Sequence, residues 1–69
     1  MRLHYGEGDI CVGDSVQICP GMDLWARGAR FGVVVRIQGD MYAVRMHHPG
    51  VRRLVWTTKD RLQLRKVGV

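Results

Sequence analysis

The chain has 69 residues, a net charge of +5, two cysteines and a hydrophobic fraction of 46%. A chain this short makes one domain near the lower limit of what folds unaided, so slender stability or help from self-association is expected. The apolar residues fall in short clusters, which excludes a membrane-spanning helix. The start, with Glu7 and Asp9 among glycines, lacks the apolar stretch of a secretory signal, so a cytoplasmic location is expected.

The whole of 1–69 reads as a single domain with its core at about 9–67, without linker or internal repeat. Val16 and Ile18 alternate with Ser15 and Gln17, which predicts a first strand over 15–19. Pro20-Gly21 ends it, because proline has no amide hydrogen to give a ladder. Residues 22–30 hold Trp25 between Gly21 and Gly28, a span too short and too glycine-bounded for a stable helix, and an exposed loop is expected. The second strand covers 31–38, with Val33, Val35 and Ile37 on one face and Val34 and Arg36 on the other. A bend after Gly32 would let Val34 reach the core as well.

Gln38-Gly39-Asp40 then makes a tight turn, and alternation resumes over 41–47 with Tyr42, Val44 and Met46 opposite Ala43 and Arg45. Strands two and three therefore form a hairpin. His48-Pro49-Gly50 is a turn, residues 53–57 are the fourth strand, and Thr58 with Asp60 two residues on favours a single 3₁₀ turn. Residues 62–67 supply the last strand. The expected fold is all-β: a five-stranded SH3-like small barrel with a 3₁₀ turn before the last strand.

Charge and side-chain chemistry narrow the functional classes. Residues 1–23 carry Glu7, Asp9, Asp14 and Asp23 against Arg2 (net −3), whereas 24–69 carry ten bases against Asp40 and Asp60 (net +8). Nine of the eleven bases are Arg, whose planar fork grips phosphate two oxygens at a time, so an anionic partner is the first expectation. Trp25, Arg27, Arg30, Arg36, Arg45, Arg52 and Arg53 are the candidate nucleic-acid-binding residues. Arg36 and Arg45 point outward on adjacent strands, and an exposed Trp25 would stack on a base. The plainer alternative is that these arginines only keep a tiny barrel soluble. The partner of the first reading is RNA or DNA, contacted without sequence preference.

A competing use gathers Trp25, Phe31, Tyr42 and Trp56 at one end of the barrel as a protein-binding groove or a self-assembly surface, with two of the four in the core. No enzyme is expected: Ser15 is the only serine, Glu7 the only glutamate, and neither has partners suggested by spacing. Cys11, Cys19, His4, His47 and His48 show no ligand spacing, so neither metal nor cofactor is expected. Both cysteines read as small buried apolar residues, and a cytoplasmic setting opposes a disulfide between them.

Two resemblances accompany this reading. Gly13-Asp14, Val16, Ile18, Gly21, Arg27-Gly28, Gly32 and the Val34-Val35-Arg36-Ile37 run resemble a KOW motif, the glycine-punctuated segment of small barrels in ribosomal proteins and transcription elongation factors. Tudor-like modules share the pattern, so it implies fold before function. Gly13-Asp14-Ser15-Val16, Trp25, Gly28, Tyr42-Ala43-Val44 and His48-Pro49-Gly50 are also similar to the plasmid-borne type II dihydrofolate reductases. That family lines its active pore with Val-Gln-Ile-Tyr after the His-Pro-Gly turn. Here the strand reads Arg52-Arg53-Leu54-Val55-Trp56, so the resemblance implies a divergent relative rather than a reductase.

Overall fold

The computed structural model describes residues 9–65. Five antiparallel strands, β1 (Ser15–Ile18), β2 (Phe31–Gln38), β3 (Met41–Met46), β4 (Val55–Thr58) and β5 (Leu62–Leu64), form one sheet in the order β4-β3-β2-β1-β5. A 3₁₀ turn, Lys59–Arg61, stands before β5. The all-β, five-stranded expectation therefore holds, with the 3₁₀ turn where Thr58 and Asp60 put it. The Thr58 hydroxyl donates to the Asp60 carboxylate, closing that turn. Among the described residues, no helix is long and apolar enough to cross a membrane.

Antiparallel partners share a face, so the register sorts every strand residue to one side of the sheet. Leu64, Val16, Gly32 and Met46 form one row facing the core, and Val34, Val44 and Val55 form another. Val16, Val34, Val44 and Met46 of these rows make the buried cluster with Ile10, Ile18, Ala29 and Leu62, and Met22, Leu24, Trp25, Ile37, Tyr42, Val51, Val55 and Leu64 pack against it. The opposite face carries Gln63, Gln17 and Phe31 in one row, then Ser15, Val33 and Arg45, then Arg36, Ala43 and Trp56.

The second strand corrects the expected parity. Val34, not Val33 or Val35, is the fully buried valine of the three, and the next core-facing residue toward the start of the strand is Gly32. The register then shifts between Val34 and Arg36, so Val35 is an extra residue. That bulge returns Ile37 to the core side, where alternation alone could not have placed both Val34 and Ile37. Gly32 is required where it stands: a Cβ there would lie 2.6 Å from the Arg45 carbonyl oxygen and 2.7 Å from Val44 Cγ1. Gly39 has φ of 55°, the sign that a type II′ hairpin turn needs at its first central residue.

Other departures are local. Residues 23–26 are a single helical turn, α1 (Asp23–Ala26), instead of an exposed loop. Leu24 and Trp25 are half-buried on the core, and that packing supplies what intrinsic propensity lacks. β4 starts at Val55 rather than 53, because the last β3 partner is Val44, and His47, just beyond β3, donates its N–H to the Phe31 carbonyl 2.8 Å away on the other side. The first strand stops at Ile18 and the third at Met46. β5 is assigned over Leu62–Leu64, and the expected continuation through 66–67, like His4, lies outside the described residues. Neither cysteine is buried: Cys11 is exposed in the turn closed by Asp14, Cys19 is half-buried, and both are free thiols.

Candidate nucleic-acid interface

Two short segments bring the candidate arginines to the surface. The first runs from α1 to β2. Its backbone is pinned by Trp25 N–H to the Met22 carbonyl (3.0 Å), Gly28 N–H to the Trp25 carbonyl (3.0 Å) and Ala29 N–H to the Leu24 carbonyl (3.0 Å). Ala29 is fully buried, so the chain is anchored between Arg27 and Arg30, and both arginines are left exposed. The second segment joins β3 to β4. There the Gly50 N–H donates to His48 Nδ1 at 3.0 Å and the Val51 N–H to the His48 carbonyl at 3.1 Å. Val51 packs on the core and Arg52 and Arg53 follow it outward.

These segments meet at an open cleft of about 390 Å³. Half-buried Leu24, Val51 and Val55 supply its apolar part, and exposed Arg27, Arg52 and Arg53, with Gly50, supply the rest. Among the described residues, no carboxylate lines it. Three arginines beside an apolar surface have the chemistry to take phosphate or carboxylate oxygens attached to a less polar body.

The other candidate arginines are elsewhere. Arg30 turns back on its own segment: its guanidinium carbon lies 4.8 Å from the Trp25 ring centroid, and Nε donates to the Trp25 carbonyl at 3.4 Å. Trp25 is therefore half-buried against the core and covered by Arg30, not the free stacking surface expected from a loop. Arg36 and Arg45 do share the outer face, Arg36 because the bulge at Val35 turns it away from the side that Val34 occupies. They are not opposite one another, because the bulge at Val35 sets Arg36 beside Ala43 while Arg45 pairs with Val33.

The four aromatics do not gather. Tyr42 shares a core-facing row with Ile37 and Thr57, whereas Trp56 and Phe31 lie on the outer face, roughly 15 Å apart along β2 at about 3.3 Å per residue. Trp25 and Tyr42 are the two that contribute to the core. Beneath that outer face, Thr57 Oγ1 is buried with no hydrogen-bond partner among the described residues.

Two features escaped sequence reasoning. Arg65 places its guanidinium carbon 4.1 Å from the Phe31 ring centroid, a contact made only because β1 pairs with both β2 and β5. The apolar part of the cleft was equally silent, since Leu24, Val51 and Val55 lie in three separate elements. Among the described residues no cluster of His, Cys, Asp or Glu could hold a metal ion. Searches for similar proteins returned no matching family model, no matching curated protein and no matching solved structure.

Proposed function

We propose that this chain is a non-enzymatic binding module, an SH3-like small barrel that holds nucleic-acid backbone in the cleft formed by Arg27, Arg52 and Arg53. The convergence of these three arginines on one cleft, with no carboxylate lining it among the described residues, carries the reading. A phosphate fits the guanidinium forks, and the sugar attached to it fits against Leu24, Val51 and Val55. Such contacts read no base edge, so binding without sequence preference follows. Arg36 and Arg45 on the outer face extend the positive surface, and none of the five strands contains an acidic residue to oppose them.

The test is the affinity for a fluorescent oligonucleotide of arbitrary sequence, measured by anisotropy across a salt series. Three neutralised phosphates give a slope of about −2 in log K against log salt for a single strand, and engagement of Arg36 and Arg45 as well gives about −3.5. No binding at low salt, or binding indifferent to salt, would overturn the proposal.

A second reading has its own observation. Phe31, Met41, Leu54 and Trp56 are large apolar side chains at or above a third exposed, and surfaces of that kind serve protein contacts. On that reading Trp56→Ala abolishes self-association or partner capture and leaves salt-dependent oligonucleotide binding untouched.

A further inference from the structure

The three best-placed aromatics differ in one respect that bears on the ligand. Trp25 lies under Arg30 and Phe31 lies under Arg65, whereas among the described residues no guanidinium covers Trp56. Trp56 is 41% exposed on the outer face of edge strand β4. In its row stand Ala43 and then Arg36, one strand further on, about 10 Å from Trp56 at the usual strand spacing. Arg45 lies on the same face of β3 one row away.

The cleft and this face are joined by the chain itself. Arg53 lines the cleft and Trp56 opens onto the outer face, at most about 10 Å further along a backbone that bends at Arg53. Val55 lines the cleft from the core-facing side of β4 and Trp56 lies on the other side, so a backbone leaving the three cleft arginines reaches the indole by passing over the unpaired edge of β4, with arginines on the far side of the ring. In a duplex every base face is already stacked on its neighbours, so an exposed indole has nothing to pair with. A single strand offers unstacked faces, and positive grooves with aromatic platforms are how such strands are held without regard to sequence.

We infer that the ligand is single-stranded nucleic acid, its phosphates held by Arg27, Arg52 and Arg53 and a neighbouring base stacked on Trp56. This rests on the proposed backbone binding and adds the class of strand and the residue that selects it. Trp25, the obvious stacking residue from sequence, is excluded from that role by Arg30.

The experiment compares a short labelled oligo(dT) with a dA·dT duplex of the same length, using the wild-type chain and the variants Trp56→Leu and Trp56→Phe, each shown to be folded by its thermal melt. The expected result is tighter binding of the single strand, with tryptophan fluorescence quenched on binding. Trp56→Leu lowers single-strand affinity about tenfold and leaves the duplex unchanged, and Trp56→Phe keeps most of the affinity while losing the quench. Equal affinity for both forms, or a Trp56→Leu variant as tight as wild type on oligo(dT), overturns the inference while leaving backbone binding standing. If neither nucleic acid binds at low salt, the backbone reading falls and this one with it.

Discussion

The α1–β2 segment and the β3–β4 segment each present two arginines, yet the molecule uses them differently. In the first, Arg30 is spent on Trp25 and the backbone between the arginines is anchored by buried Ala29. In the second, Arg52 and Arg53 follow a turn held by His48 and make no contact with an aromatic ring or acceptor among the described residues; what they line is the cleft. Identical side chains therefore differ in use: Arg30 is held by a ring within the fold, whereas Arg52 and Arg53, with Arg27, line the cleft. A count of surface arginines overstates a binding site wherever some already have partners within the fold.

The sharpest contrast between the segments is expected from their glycines. Gly32 follows directly on the first segment, and a Cβ there would meet backbone, the Arg45 carbonyl oxygen at 2.6 Å, as well as Val44 Cγ1. Gly32→Ala must push β2 and β3 apart and is expected to cost about 3 kcal/mol, a large share of the stability of so small a domain. At Gly50 the Cβ would meet only the His48 ring, Cε1 at 3.0 Å and Nδ1 at 3.1 Å, and a side chain can give way. Gly50→Ala should cost under about 1 kcal/mol. Urea midpoints of the two variants measure the difference; similar losses would mean the two segments are held with equal rigidity.

Next in size is the effect of charge reversal on binding. Arg52→Glu with Arg53→Glu puts two carboxylates where phosphate is proposed to sit, and affinity for an oligonucleotide at low salt is expected to fall on the order of 100-fold. Because these side chains hold nothing in the fold, the melting temperature should stay near that of wild type. Arg30→Glu reverses one charge on the other segment and should do the opposite: a lower melting temperature and less than about a tenfold loss of affinity. Anisotropy titrations beside thermal melts separate the two, and equal losses of affinity would show that Arg30 leaves Trp25 when ligand arrives.

What sequence revealed and what it hid follow the same division between local and distant causes. β2 was legible from Phe31 to Gln38 because consecutive β-branched residues favour strand whatever surrounds them. The 3₁₀ turn was legible because Thr58 and Asp60 are near neighbours and their hydrogen bond is local. Which valine faces the core was hidden, since it depends on where β2 slips against β3, and nothing in Val33-Val34-Val35 distinguishes its members. The turn at α1 was hidden for a related reason: Asp-Leu-Trp-Ala forms it only because Leu24 and Trp25 have a core to rest on. The arginines of the site were all visible in the chain, but their sorting into cleft, ring contact and sheet face required strand pairing.

The smallest effect is the one on which the comparison turns. If Arg30 is held by Trp25, the energies of Arg30→Ala and Trp25→Leu should not add, and a double-mutant cycle should return a coupling of about 0.5–1 kcal/mol. The value is modest because Arg30 is exposed and water competes for the guanidinium, while Trp25→Leu alone costs more through lost burial on the core. The cycle cancels that burial, which leaves only the ring contact and the Nε bond to the Trp25 carbonyl, and the latter survives any side-chain change at position 25. A measured coupling therefore reports the ring contact itself. A coupling near zero would show that the ring does not hold Arg30 and that only the Nε bond ties it down, and if a phosphate displaces that bond the salt slope for oligonucleotide binding steepens by about 0.7 for one further contact.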